Sequence, residues 1–187
     1  LRVEPLERGA GFDFVDIVKG GVIPGVFMAA VEKGVRQALA DGVVAGFPAE
    51  DLRDTVHDGK SHPVDGKDIA FFTAARKATV DAIRAARPII LEPLVNIEIL
   101  APDAMTGDVT GDLSSKRGHL TGTPPRGPGV MAITGQVPLA ELEGYQSRLK
   151  SLTGGEGSYS IEFSHYAQVP PATQQQLASQ HKVVEEE

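Results

Sequence analysis

The sequence contains neither cysteine nor tryptophan. Without thiols, no disulfide and no thiolate metal site can form, and this usage fits a reducing compartment such as the cytoplasm. Apolar runs are short: residues 87–92, for example, are broken by proline and by charge. We therefore expect no membrane span, and Leu1 opens no basic and then apolar export signal.

Sequence patterns of common catalytic sites are also missing. There is no Gly-x-x-x-x-Gly-Lys-Ser/Thr loop to hold phosphates and no nucleophile elbow around a serine. The glycine-rich residues 153–157 lack the preceding strand and following helix that a phosphate loop needs. His57, Asp58, His62 and Asp65 match no common ligand spacing. We expect no catalytic residue and no metal site in this chain.

Positive charge is scarce, with 18 Lys and Arg against 25 Asp and Glu and a net charge of −7. Because phosphates are contacted mainly by Lys and Arg, any contact with RNA must be local. The hydrophobic content of 41% is sufficient for one large or two small folded units. The chain opens on Leu-Arg-Val-Glu-Pro without an initiating Met, so we expect a fragment of a longer protein.

The first half alternates predicted strands with two helices. Predicted strands cover residues 12–18, 43–47 and 52–57. The first helix starts at Pro24, and its apolar stripe consists of Phe27, Val31, Val35, Ala38 and Leu39. Asp65 is predicted to cap the second helix. The apolar face of that helix is predicted at Ile69, Phe72, Ala75, Ala82 and Ala86, and its solvated basic face at Arg76, Lys77, Arg84 and Arg87.

The second half predicts the order β-α-β-β-α-β. Its first strand alternates Val95, Ile97 and Ile99 with polar residues. A short helix over 103–115, strands over 118–123 and 129–137, and a helix from Pro138 follow. The buried face of this last helix is predicted at Leu139, Leu142, Tyr145, Leu149 and Leu152. In the final strand, Tyr159, Ile161 and Phe163 are interpreted as sheet core rather than as an RNA-stacking platform. The order is that of a ferredoxin-like fold.

Several short sequence segments carry a resemblance to a known protein family. They are Ile17-Val-Lys-Gly-Gly-Val-Ile-Pro24, Ala45-Gly-Phe-Pro48, Leu91-Glu-Pro93, Gly107-Asp-Val-Thr-Gly-Asp-Leu113, Val137-Pro-Leu-Ala140, Leu149-Lys-Ser-Leu-Thr153 and Ser158-Tyr-Ser-Ile-Glu-Phe163. In this order they resemble domains IV and V of bacterial elongation factor G. The resemblance predicts an α+β protein: a unit like domain 2 of ribosomal protein S5 over 1–92, a ferredoxin-like unit over 93–170, and a terminal helix and tail over 171–187.

The resemblance also implies a mechanical role. In this family, domain IV acts as a rod whose tip enters the decoding region of the small ribosomal subunit and moves transfer RNA with messenger RNA. Domain V contacts ribosomal RNA and protein near the factor-binding centre. GTP and Mg belong to an amino-terminal part that precedes these domains, so the full-length parent is expected to be a GTP hydrolase. We expect a cytoplasmic monomer that binds the ribosome and no membrane.

Site residues are carried over from the tip loop, whose family core Gly-x-x-His-x-Val-Asp corresponds here to residues 59–65. The predicted tip comprises Gly59, Lys60, Ser61, His62, Val64, Asp65 and Lys67. His62 is the leading candidate, because an imidazole can hydrogen bond and stack on a base or ribose. The possible contacts with ribosomal RNA in the second unit are Lys116, Arg117, Arg148 and Lys150.

The tip departs from the family pattern. The family has an aromatic before the histidine and a Ser-Ser pair at the helix start, where this chain has Ser61 and Gly66-Lys67. Residues 154–157 place an acid where the family has a basic loop. Three functions therefore stay open: translocation, a paralogue specialised for ribosome recycling or ribosome protection, and a free-standing module that binds RNA or protein.

Overall fold

The computed structural model describes residues 1–60 and 66–181. Two compact units are present: unit 1 comprises Leu1–Ile90 and the segment from Pro170, and unit 2 comprises Leu91–Val169. The fold is α+β. No helix among the described residues has the length and apolar character needed to cross a membrane.

Unit 1 combines a three-stranded sheet with two long helices and a terminal helix. The sheet order is β1-β3-β2, with β3 antiparallel to β1 and parallel to β2. Its elements are β1 (Arg2–Pro5), β2 (Phe12–Asp16), α1 (Met28–Asp41), β3 (Leu52–Val56), α2 (Asp68–Ala85) and α5 (Pro171–Gln180). A short 3-10 helix, Gly25–Phe27, leads into α1.

Helix α1 confirms the predicted stripe at Val31, Val35, Ala38 and Leu39, which are buried, and Phe27 is half-buried just before the helix. Phe27 stacks on Phe71 of α2, with ring centroids 4.5 Å apart.

The predicted apolar face of α2 is confirmed in part, since Ala75 is buried but Ile69 is not. Phe71, Ala75, Thr79 and Ile83 are the buried residues, and Ile69 is 66% exposed. On α1, a Cβ on Gly34 would sit 2.3 Å from the carbonyl oxygen of Phe72, so the two helices approach each other closely at this point.

The predicted strand over 43–47 is absent, since the described chain there runs irregularly between α1 and β3. Gly42 and Gly46 both have φ of 74°, in the left-handed region that favours glycine. A Cβ on Gly42 would lie 2.4 Å from the carbonyl oxygen of Phe47. The tight turn that results leaves no extended run long enough for a strand.

Unit 2 has the predicted order of a ferredoxin-like fold. Its elements are β4 (Leu91–Pro102), α3 (Thr106–Ser115), β5 (His119–Gly122), β6 (Pro125–Gly127), β7 (Val130–Pro138), α4 (Tyr145–Leu152) and β8 (Ser158–Gln168). The sheet order is β5-β7-β4-β8, and β6 is a short addition that pairs with β7. All of its pairs are antiparallel. Strand β4 begins at Leu91, two residues before the expected start of this unit.

The core of unit 2 lies between this sheet and its helices. Val95, Ile97 and Ile99 are buried as their alternation predicted. Leu142, Tyr145 and Leu149 are buried as well. Leu139, also predicted to be buried, is 42% exposed, because residues 139–142 form a 3-10 helix before α4 begins at Tyr145.

The interpretation of β8 as core is wrong for two of its three residues. Tyr159 packs on the core, but Ile161 and Phe163 are exposed. Ile161 pairs with Ile97, and Phe163 pairs with Val95. Directly paired residues point to the same side of a sheet, so both lie on the core face, at an edge strand where no described element covers them.

Candidate functional site

The predicted tip lies in the connection between β3 and α2, which joins Val56 to Asp68. Of the predicted tip residues, the structure describes Gly59, Lys60 and Lys67. Ser61, His62, Val64 and Asp65 lie outside the described residues.

The base of this connection rests on Ile23. A Cβ on Gly59 would lie 2.5 Å from Cδ1 of Ile23. Ile23 is 8% exposed and belongs to the core of unit 1. A side chain at residue 59 would require the end of the Ile23 side chain to shift, so glycine lets the chain pass Ile23 at close range.

Both described flanks of the connection carry exposed lysines. Lys60 follows Gly59, and Lys67 immediately precedes α2. The amino terminus of a helix has a partial positive charge, which adds to that of Lys67, while Asp68 in the first turn offsets part of it. Lys67 occupies the N-cap position without a side-chain hydrogen bond, so the predicted N-cap at Asp65 is two residues too early. The flanks offer two cations to an anionic partner.

The basic residues of α2 divide into two groups. Arg76 donates to Oδ2 of Asp41 on α1, at 3.2 Å from Nε and 2.9 Å from Nη2. Hydrogen bonds from Gln37 and then from Arg76 lower the pKa of Asp41. Lys77, Arg84 and Arg87 pair with no acid among the described residues, as expected of a solvated face.

In unit 2, three of the four predicted RNA contacts are already engaged within the unit. Arg117 donates from Nη1 and Nη2 to the two carboxylate oxygens of Glu92, at 2.6 and 2.9 Å, and from Nε to Glu141 at 2.8 Å. Nε of Arg148 donates to Oδ1 of Asp112 at 2.8 Å. Nζ of Lys116 donates to the carbonyl oxygen of Glu141 at 3.0 Å. Lys150 is exposed and has no such partner among the described residues.

Arg117 adopts an unusual backbone conformation. Its φ is 58°, at the position after the helix where glycine is usual, and the N–H of Gly118 closes the turn by donating to the carbonyl of Leu113 at 2.9 Å. The left-handed region costs a residue with a side chain about 1 to 2 kcal/mol. The two hydrogen bonds to Glu92, and then the one to Glu141, raise the pKa of Arg117 further above its ordinary value. Two carboxylates thus hold this cation in place, and whether it also contacts RNA stays a prediction.

Sequence reasoning did not single out Asp54. This side chain is fully buried on β3, where Oδ2 accepts a hydrogen bond from Thr79 Oγ1 at 3.1 Å. Oδ1 has no partner among the described residues. Burial raises the pKa of Asp54, and the hydrogen bond from Thr79 opposes that shift. The one available signal was the polar residue at the centre of a strand with apolar ends, Leu52 and Val56.

Comparisons with known proteins agree with this architecture. Residues 1–87 match the family model of elongation factor G, domain IV, and residues 89–177 match that of the elongation factor G C-terminus. The chain therefore belongs to the elongation factor G family and corresponds to the carboxy-terminal portion of its members.

Relatives give the same result. An elongation factor G-like protein of Thermotoga maritima is 42% identical, over 97% of this chain and 27% of its own length. Elongation factor G of Aquifex pyrophilus is 45% identical, over 91% of this chain and 24% of its own length. A crystal structure of a protein from Thermus thermophilus superposes with a TM-score of 0.75 at 39% identity, over 95% of this chain and 26% of that one. The chain spans about a quarter of the length of each relative.

Proposed function

We propose that this chain is the ribosome-binding portion of a translational GTPase and that it promotes movement of transfer RNA with messenger RNA. In this proposal, the connection between β3 and α2 enters the decoding region. GTP and Mg are bound and used in a preceding part of the full-length protein. The chain itself supplies shape and contacts rather than bond-breaking chemistry.

The observation that supports the proposal most directly is the construction of this connection. It leaves β3 over Ile23 at Gly59, and exposed Lys60 and Lys67 flank it in a unit that matches domain IV of elongation factor G. Cations on both flanks suit a sugar–phosphate backbone, and their contribution falls as salt rises. His62 between them adds a group that can hydrogen bond or stack without reading sequence.

The test is single-round translocation by the full-length protein carrying His62→Ala. Loss of one contact made in the rate-limiting arrangement is expected to slow movement about tenfold, the effect of about 1.4 kcal/mol. His57→Ala, an exposed histidine at the base of the same connection, is the matched control and should leave the rate unchanged. A His62→Ala protein that moves transfer RNA at the original rate would refute the role assigned to the tip.

A second function has specific support. The Thermotoga maritima relative, described as elongation factor G-like, is nearly as similar to this chain as elongation factor G of Aquifex pyrophilus. The tip also lacks the family's aromatic before His62 and its Ser-Ser pair. Ribosome splitting or protection by the full-length protein, without translocation, would favour the paralogue over the translocase.

A further inference from the structure

The chain contains three Asp-Gly pairs: Asp41-Gly42, Asp58-Gly59 and Asp65-Gly66. In such a pair the backbone nitrogen of the glycine lies within reach of the carboxyl carbon of the aspartate, and glycine has no side chain to shield that nitrogen. An attack within one pair needs no second molecule to be brought into place, so local geometry controls its rate. Asp65 lies outside the described residues, and the structure distinguishes the other two pairs.

At Asp58-Gly59 the two reacting groups are in contact. The N–H of Gly59 donates to Oδ1 of Asp58 at 2.8 Å, so the carboxyl carbon lies one bond beyond the contact atom. Asp58 is exposed in the irregular chain that follows β3, outside the regular dihedral angles of a helix or strand. Water therefore reaches this carboxyl group, and the nitrogen that can attack it is already beside it.

Asp41-Gly42 has the same chemistry in a restraining structure. Asp41 is the last residue of α1, so its backbone is helical. Oδ1 of Asp41 accepts from Nε2 of Gln37 at 2.7 Å, and Oδ2 accepts from Nη2 of Arg76 at 2.9 Å. The hydrogen bond from Gln37, and then that from Arg76, lowers the pKa of Asp41. A carboxylate that is kept ionised and held by two side chains is a poor acceptor for the nitrogen, because its oxygen leaves as water only after protonation.

We propose that Asp58-Gly59 is a site of spontaneous isomerisation, at which the main chain is rerouted through the side chain of Asp58. The nitrogen of Gly59 bonds to Cγ of Asp58, and the proton of that nitrogen leaves with the carboxyl hydroxyl as water. In the cyclic imide that results, water attacks the backbone carbonyl carbon of Asp58 and breaks the bond from that carbon to the nitrogen of Gly59.

The product is an isoaspartyl residue of unchanged mass. Cβ and Cγ of Asp58 now belong to the main chain, and the former backbone carbonyl is a free carboxylate. The water released by ring closure is balanced by the water taken up in hydrolysis, so no oxidant, reductant or enzyme takes part.

The isomerised chain does not fit the base of the connection between β3 and α2. It has one more main-chain atom before Gly59, at the point where a Cβ on Gly59 would lie 2.5 Å from Cδ1 of Ile23. Ile23 belongs to the core of unit 1, so the extra atom displaces either this core residue or the flank at Lys60. Slower translocation by the isomerised protein follows; this consequence, unlike the isomerisation itself, rests on the proposed function.

Peptide mapping of the full-length protein, aged at mildly acidic pH, tests the proposal. Trypsin places the three pairs in separate peptides, residues 37–53, 54–60 and 61–67. Electron-transfer fragmentation distinguishes isoaspartate from aspartate and assigns it within each peptide. In the folded protein, isoaspartate should accumulate at Asp58 at least about tenfold faster than at Asp41. In urea, where the fold no longer distinguishes the two pairs, their rates should converge.

Asp58→Glu is the matched variant. It keeps the charge, but its ring would need one more atom and closes much more slowly, so no isomerised peptide 54–60 should form. Equal rates at Asp41 and Asp58 in the folded protein would overturn the proposal, as would isoaspartate that forms at Asp58 in urea alone.

The isomerisation is measured without ribosomes, so its absence would leave the proposed function untouched. A protein isomerised at Asp58 that translocates at the original rate would count against the role of the connection and not against the isomerisation.

Discussion

Each unit has a buried carboxylate in or beside its core, and two of these, Glu92 and Asp54, are held in different ways. In unit 2, Glu92 is 9% exposed and receives both ends of the Arg117 guanidinium. In unit 1, Asp54 is fully buried and receives one hydrogen bond, from the neutral hydroxyl of Thr79.

The difference shows that the partner decides what a buried acid does for stability. A bidentate arginine compensates the charge of Glu92, so removal of the arginine leaves an uncompensated ion. A hydroxyl compensates Asp54 only in part, and the pKa of Asp54 is raised as a result. We therefore expect loss of the Arg117 guanidinium to destabilise unit 2 and neutralisation of Asp54 to stabilise unit 1.

The largest effect is expected from Arg117→Ala, which should lower the free energy of unfolding of unit 2 by about 2 to 3 kcal/mol. The three tyrosines, Tyr145, Tyr159 and Tyr166, all lie in unit 2, and the chain has no tryptophan. Tyrosine fluorescence in urea therefore reports on this unit alone. Arg126→Ala is the matched control, because that arginine is 55% exposed and pairs with Glu98 near the surface; its cost should stay below about 1 kcal/mol. Equal losses in the two variants would contradict the comparison.

A neutral side chain provides the next test. Gln174 of α5 donates from Nε2 to the carbonyl of Pro88 at 3.1 Å and accepts from the N–H of Ile90 at 3.1 Å. Gln174→Ala should destabilise unit 1 by about 1.5 kcal/mol, equally at every pH, because no charge is involved. Protection of the Ile90 amide in hydrogen exchange measures this. Gln175→Ala, which changes the exposed neighbour on the same helix, should have no effect.

The smallest predicted effect is an increase in the stability of unit 1. Asp54→Asn should stabilise unit 1 by about 1 kcal/mol near pH 7.5. Because burial raises the pKa of Asp54, the folded state binds a proton that the unfolded state has released. The stability contributed by protonation of Asp54 is therefore fully present below the unfolded pKa of 3.8, and it is lost as pH rises through the folded pKa.

Urea unfolding followed by circular dichroism measures this for Asp54→Asn. Near pH 3.5 the variant should be as stable as the original protein, and above that pH it should become increasingly more stable than the original. Asp81→Asn, an exposed acid on α2, is the control. A variant less stable than the original protein at pH 7.5 would refute this account.

The order of elements in unit 2 could be predicted from the sequence because turn residues punctuate it and Val95, Ile97 and Ile99 alternate strictly. Alternation identifies the face of a strand but not the length of the helix above it, so the exposure of Ile161 and Phe163 was missed.

The close approach of α1 and α2 depends on residues that are far apart in sequence. Gly34 lies against the carbonyl oxygen of Phe72, 38 residues away. The partners of Arg117 are likewise 25 and 24 residues away. The sequence places this arginine near a helix end, but it does not show that Glu92 and Glu141 accept its hydrogen bonds. For the tip, the structure describes only the flanks, so His62 stays a prediction.

Unit 1 is discontinuous along the chain, and this has a consequence for biosynthesis. The amide of Gln174 joins the Pro88–Ile90 segment only after all of unit 2 has been translated. At about 5 to 20 residues per second, the 84 residues from Leu91 to Gln174 take roughly 4 to 17 seconds to add. During that interval the N–H of Ile90 and the carbonyl of Pro88 lack their hydrogen-bond partner. A nascent chain stalled before α5 therefore exposes these backbone groups to chaperones and proteases.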